Sequence, residues 1–155
     1  MTMLAEQIQR LSRTANDLAA LLGGKPTPIL TKRPAEKAWA ATEVVCHLRD
    51  TEELFFGRFQ TILTNDEPKL LAIDPDAWAR DRQYLRNDTA EALDSFRARR
   101  EATLKLLQAL AHDQWERSGI HPSRGKMTLQ DFVALMAGHD DNHLDQLRRA
   151  LDGRP

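Results

Sequence analysis

Apolar side chains near the start of the chain recur at Leu4, Ile8, Leu11, Ala15, Leu18 and Leu22. That three-or-four spacing predicts an amphipathic helix over residues 3–22, stopped by Gly23-Gly24. Lys25 to Pro34 carries three prolines and reads as a connector leading to Trp39. A second helix is predicted from about Thr42 to Leu63, with Val44, Leu48, Phe55, Phe59 and Ile62 as its stripe. From Thr64 to Asn87 the pattern lapses: Asn65-Asp66-Glu67-Pro68 and Asp74-Pro75-Asp76 mark turns, with a short helical turn around Trp78. Unstructured connections of more than about 12 to 15 residues are uncommon, so this one asks for a reason. A topological reason is that two successive helices running parallel need a crossover as long as the bundle.

A third helix is predicted from Asp88, a capping carboxylate with Glu91 three residues on, through Leu93, Phe96, Thr103, Leu107 and Leu110. Arg100 falls on that apolar stripe. A loop containing Gly119, His121-Pro122 and Gly125 follows. Thr128 then opens a fourth helix, with Asp131 in the reciprocal capping place, that ends before Gly153. Nowhere do β-branched residues alternate with polar ones over a strand's length, so no strand is predicted. Four amphipathic helices of roughly 20 residues each, without internal repeats, make the expected fold all-α, a four-helix bundle.

The length of 155 residues suits one domain, residues 1–155, able to bury a core without disulfides or metals as staples. A net charge of -1, from 22 basic and 23 acidic residues, leaves no electrostatic footprint for nucleic acid or an anionic membrane surface. The single cysteine, Cys46, excludes an internal disulfide and suits a reducing cytoplasm. The first residues, MTMLAEQIQR, resemble neither a signal peptide nor a membrane span, so the expected location is cytoplasmic. The apolar arc of the second helix extends to Phe56 and Leu63, more than one bundle seam requires, and this surplus predicts a homodimer.

The chemistry concentrates in Gly138-His139-Asp140-Asp141-Asn142-His143. At 100 degrees per residue, His139 and His143 share the face of Leu129, Phe132, Met136, Leu147 and Ala150, so both imidazoles point toward the core. Asp140 lies at the edge of that arc, whereas Asp141 and Asp145 project toward solvent. Such a pair is either a pair of metal ligands or two polar neighbours that satisfy their ring nitrogens elsewhere. His47 is the one histidine of the second helix, on a flanking strip with Glu43, Asp50, Thr51, Leu54 and Arg58. That strip suits a ligand beside a cleft and equally a surface histidine beside acidic residues.

Trp39 with the run Glu43-Val44-Val45-Cys46-His47-Leu48-Arg49-Asp50-Thr51-Glu52, followed late in the chain by Thr128-Leu129 and His139 to His143, resembles the paired signatures of the DinB-like superfamily, which includes YfiT-type candidate metal-dependent hydrolases. The similarity extends over most of the chain, including the long segment between helices two and three. The resemblance implies an up-down-down-up bundle and a divalent metal held by three histidines, here His47, His139 and His143. It also implies a hydrolase or a thiol-dependent transferase acting on a small molecule, with a low-molecular-weight thiol as a possible co-substrate. The alternative is a non-catalytic metal-binding or stress-associated interaction bundle. Three nitrogen donors leave a coordination position open, as catalytic sites do; imidazole donors suit zinc, nickel, copper and iron alike, with zinc and nickel the leading expectation.

Candidate bases for such a site are Asp140, beside the ligand pair, and Asp50 or Glu43, near His47. The pair also has the spacing of HExxH, with Asp140 in place of the glutamate and no peptidase context following. Arg100 is expected either to bind a substrate carboxylate or to form a salt bridge with Glu53 or Asp50. His121 is expected to line the mouth of the site or to bond the backbone of its own turn. Cys46 sits 100 degrees from His47 and should be inert. Trp39 reads as a hydrophobic staple, and Trp78 and Trp115 as covers for the bundle ends.

Overall fold

The structure is a computed structural model and describes residues 2–155. Four long helices carry it: α1 (Met3–Leu22), α3 (Ala41–Thr64), α5 (Thr89–Gln108) and α6 (Leu129–Leu151). Between them stand the short α2 (Thr27–Leu30) and α4 (Pro75–Asp81), single 3-10 turns at Tyr84–Arg86 and His112–Glu116, and the strands β1 (Ser118–His121) and β2 (Gly125–Thr128). Caps set the helix starts. Thr2 accepts from the Ala5 amide, Asp74 from Asp76 and Ala77, and Asp88 from Glu91. Thr128 and Asp131 exchange hydrogen bonds as a reciprocal box.

The direction of each helix follows from which residues meet. The Thr42 hydroxyl is 2.7 Å from that of Thr89, and Arg100 pairs with Glu52, so α3 and α5 contact each other at offsets of 47 and 48 residues. A constant offset means parallel helices. His47 meets His143 while Phe59 meets Phe132, so α3 and α6 run antiparallel. Asn16 takes Arg97 and the Leu11 carbonyl takes Arg100, so α1 and α5 are antiparallel too. The result is up-down-down-up, with the crossover from residue 65 to 88 returning the chain along the bundle.

Two apolar clusters fill the interior. One gathers Leu18, Val44, Leu48, Tyr84, Phe96 and Leu147, and the other Leu11, Phe59, Ile62, Phe132 and Met136. Between them along the helices buried polar residues gather: Thr14 of α1, His47, Asp50, Thr51 and Glu52 of α3, Arg100 of α5 and Asp140 of α6. A hydrophobic interior would be simpler, so a polar layer there marks a function or a register constraint.

The expectation of no strand is corrected locally. Residues 118–128, read as a loop, form a two-stranded hairpin, and the crossover adds a bridge from Lys69 to Ile120. The two four-residue strands, Ser-Gly-Ile-His and Gly-Lys-Met-Thr, hold one large apolar residue each and so carry no alternating pattern. Gly125 supplies the left-handed residue at φ 75. Gly119 presses on α3, where an added Cβ would stand 3.0 Å from Ile62 Cγ1. The hairpin thereby covers one end of the space between α3 and α6. Among the described residues, no helix is long and apolar enough to cross a membrane.

Candidate metal centre

Antiparallel packing brings the N-terminal half of α3 against the middle of α6. Residues four apart on a helix stand one above the other, so His139 and His143 present their rings to α3 at the level of His47. The ring centroids of His47 lie 5.2 Å from His139 and 4.5 Å from His143, and those two are 4.3 Å apart. One nitrogen from each ring falls within 4.8 Å of the others. The Nε2 atoms of His47 and His139 are 3.2 Å apart. Two nitrogens on a tetrahedral ion with bonds of about 2.0–2.1 Å stand roughly 3.3 Å apart, so this edge already matches a shared cation.

The donor chemistry fits as well. His47 is 4 % exposed, and its Nδ1 is buried without a hydrogen-bond partner. Its other nitrogen faces another imidazole, so only a shared proton or a cation can satisfy the pair. The Nδ1 of His143 lies 2.7 Å from Gln146 Oε1, which places the proton on Nδ1 and leaves the Nε2 lone pair free. Burial, reinforced by the neighbouring imidazoles, pushes His47 down to about 2. Burial and His143 push His139 down to about 4, and burial lowers His143 too. Three neutral imidazoles meet here, the protonation state a metal requires.

Around them, Trp39 stands just before Ala40 and packs on the core, as a staple does, and its indole is also a wall of the site. Its ring centroid is 5.0 Å from His47 and 6.5 Å from His143. His47 and His139 open onto a cavity of about 550 Å³, walled by Thr51, Leu54, Phe55 and Arg58 of α3, Leu135 of α6, Ala72 and Ile73 of the crossover, and the hairpin turn His121 to Arg124. The long segment between α3 and α5 thus does more than return the chain.

Several expected roles change in the structure. Asp140 is 1 % exposed and accepts both Nη atoms of Arg100, at 2.7 and 2.9 Å, together with the Thr14 hydroxyl. That carboxylate is engaged in a buried ion pair with Arg100. Asp50 receives hydrogen bonds from Arg49, Arg82, Arg99 and the Tyr84 hydroxyl. These partners outweigh its desolvation and hold it at about 2. Glu43 binds Arg33 through both oxygens, at 2.8 Å each, and accepts the Ala40 amide.

Arg100 reaches neither Glu53 nor Asp50. Its partners are Glu52 and Asp140, and the remaining bonds go to Leu11 and Thr14. The guanidinium is saturated and buried, and of its two expected roles it forms a salt bridge, though with Glu52 and Asp140 rather than Glu53 or Asp50. His121 combines its two alternatives: it lines the cavity, and its Nδ1 accepts the amides of Ser123 and Arg124 at 3.1 and 3.2 Å. Burial pushes the Cys46 thiol up to about 11, in keeping with an inert residue. Trp78 and Trp115 are partly buried against the two core clusters, and Trp78 also carries the Arg82 guanidinium 3.9 Å above its ring. Gln146 and the wall formed by Trp39 went unseen in the sequence, although Gln146 lies one turn beyond His143 on the same face.

The profile of the DinB superfamily matches residues 10–147. The chain belongs to the DinB superfamily. Among relatives of this DinB protein, a candidate metal-dependent hydrolase of Oceanobacillus iheyensis is 23% identical over 150 residues, 94% of this chain and 84% of its own length. Another, of Halalkalibacterium halodurans, is 27% identical over 124 residues, 79% of this chain and 71% of its own. The solved structure of YfiT from Bacillus subtilis, described as a candidate metal-dependent hydrolase with an unusual four-helix bundle topology, superposes with a TM-score of 0.89. That comparison covers 97% of this chain and 87% of the other at 22% identity, and it supports the same DinB bundle.

Proposed function

We propose that this DinB protein is a metal-dependent enzyme acting on a small molecule, a hydrolase in line with what its relatives are named for. The observation that carries the reading is the convergence of three neutral imidazoles, His47, His139 and His143, where a cavity of about 550 Å³ meets the bundle interior. They would hold a divalent ion, zinc and nickel being the leading candidates among the metals that imidazole donors suit. Such an ion supplies Lewis acidity at an open coordination position and acidifies a water or thiol.

The chain's own residues do the rest. Because His121 Nδ1 accepts two amides, its proton sits on Nε2, giving the cavity a neutral N–H donor for a substrate oxygen. Leu54, Phe55, Ile73 and Leu135 exclude water along the wall, and Trp39 shields the rings from the side. Asp140 and Asp50 act as positioning residues. Asp140 ties α6 to Arg100, and Asp50 ties α3 to the crossover.

One observation favours a second reaction, thiol-dependent transfer. Among the described residues, no carboxylate lines the cavity. Water near pKa 15.7 needs strong activation, whereas a thiol near 8.5 gives up its proton with far less help. Metal analysis of tag-free protein, followed by turnover assays on aryl esters and amides with and without a low-molecular-weight thiol, tests both. His143→Ala should lose metal and turnover together. Turnover that survives metal removal would reject the reading, and a fully loaded protein inert in every assay would leave the ion a packing role.

A further inference from the structure

Arg58 belongs to none of the networks above. It is 9 % exposed, its Nε is buried without an acceptor, and its Nη2 donates to the Leu71 carbonyl at 2.8 Å. Among the described residues no carboxylate lies within ion-pair range of it. Asp50 and Glu53, which line an adjoining cavity that also touches Arg58, are taken by Arg49, Arg82 and Arg99. A guanidinium remains charged at any working pH, and a buried charge without a counter-ion is strongly disfavoured. Every other deeply buried charge in this bundle, Glu43, Asp50, Glu52, Arg100 and Asp140, has its opposite.

Arg58 faces the cavity that reaches His47 and His139, and Arg124 lines the same wall. Burial, with Arg58 and Arg124 nearby, disfavours protonation of His121. His121 therefore adds an N–H donor without adding a charge. We propose that Arg58, with Arg124 and the His121 Nε2–H, is an oxyanion clamp that holds a carboxylate or phosphoryl group of the substrate. The proposal rests on the reading of this cavity as the substrate site. A planar fork beside a second cation and a neutral donor matches the oxygens of either group.

The helix sets the substrate's shape. His47 and Arg58 lie eleven positions apart on α3, an axial rise of about 16 Å, with Thr51, Leu54 and Phe55 on the wall between them. The reacting bond and the anionic group of the substrate would therefore occupy separate places along the cavity wall, with Thr51, Leu54 and Phe55 between them. Specificity for a charged tail would lie in the clamp, and the chemistry would lie at the histidines.

The test follows the Arg58 Nε–H resonance in isotopically labelled protein, assigned by its loss in Arg58→Lys, during titration with benzoate, phenyl phosphate and the neutral benzamide. Each titration is run on metal-loaded protein, on chelator-treated protein and on His143→Ala. The expected result is a saturable shift with one or both anions, none with benzamide, and persistence of the shift without metal. Benzoate alone points to a carboxylate substrate, phenyl phosphate alone to a phosphoryl one. Arg58→Gln should bind the effective anion about tenfold or more weakly with unchanged metal content. An unmoved Arg58 resonance, or equal affinity in Arg58→Gln, overturns the clamp while leaving the metal centre standing. A shift in protein that never takes up metal upholds the clamp and removes the metal reading. Should Arg58→Gln fail to fold, the wild-type resonance decides alone.

Discussion

Arg100 grips Asp140 through two parallel hydrogen bonds, at 2.7 and 2.9 Å, one residue beyond His139. The same guanidinium holds both oxygens of Glu52, at 2.8 and 2.9 Å, and donates to the Leu11 carbonyl. One side chain of α5 thus fixes α1, α3 and α6 at the level of the metal site. Burial lowers both His139 and His143, and at His139 the raising effect of Asp140 is opposed by Arg100. This layer aligns the helices that carry the three rings.

Asp140→Asn should therefore act chiefly on stability. Removing one partner of a buried ion pair costs about 3–5 kcal/mol, and urea denaturation should show a loss approaching that range. If Asp140 were instead a catalytic base, stability would hold and only turnover would fall.

Gln146→Leu should keep the fold and weaken metal binding. The hydrogen bond from His143 to Gln146 fixes the ring's tautomer, and loss of such a partner lowers metal affinity by about 10–100-fold. Competition against a chelator of known affinity measures this, with circular dichroism confirming the helices.

The metal-free protein should be acid-sensitive in a defined window. His47 and His139 are pushed from an ordinary 6.5 to about 2 and about 4 by burial, so the unfolded chain binds protons that the folded chain refuses. Stability is then complete above pH 6.5 and declines as pH falls through the window toward 4. The slope should be at most about 1.4 kcal/mol per pH unit for each histidine. Urea midpoints measured across this range check it, and His139→Gln should flatten part of the slope.

Trp39 should report the site spectroscopically. With its ring 5.0 Å from His47 and 6.5 Å from His143, a paramagnetic ion such as nickel(II) or copper(II) should quench its fluorescence. Trp39→Leu should abolish most of that response while Trp78→Leu and Trp115→Leu preserve it.

The four helices were legible because their apolar stripes recur with the helical period, and His139 and His143 because they lie on one such stripe. His47 was harder. Helix α3 is buried on several sides, with Glu43, Glu52 and Arg58 hidden alongside Val44 and Phe59, so a wheel with one inward face misjudges its flank. Arg100 was expected to find Glu53 or Asp50 and instead meets Glu52 and Asp140. Which carboxylate stands opposite depends on the parallel register of α3 and α5, set by packing at a distance and absent from any local pattern. The hairpin escaped notice because its strands draw stability from contact with Ile62 and the crossover rather than from alternation of their own.

Metal content of tag-free protein by inductively coupled plasma mass spectrometry, alongside native mass spectrometry of the intact chain, tests the central claim most directly. A single divalent ion per chain, lost in His47→Ala, His139→Ala and His143→Ala and retained in Arg58→Gln, is the predicted result. A wild-type protein that takes up no divalent ion at micromolar concentrations, or one that keeps its ion after two of the three histidines are removed, would contradict it.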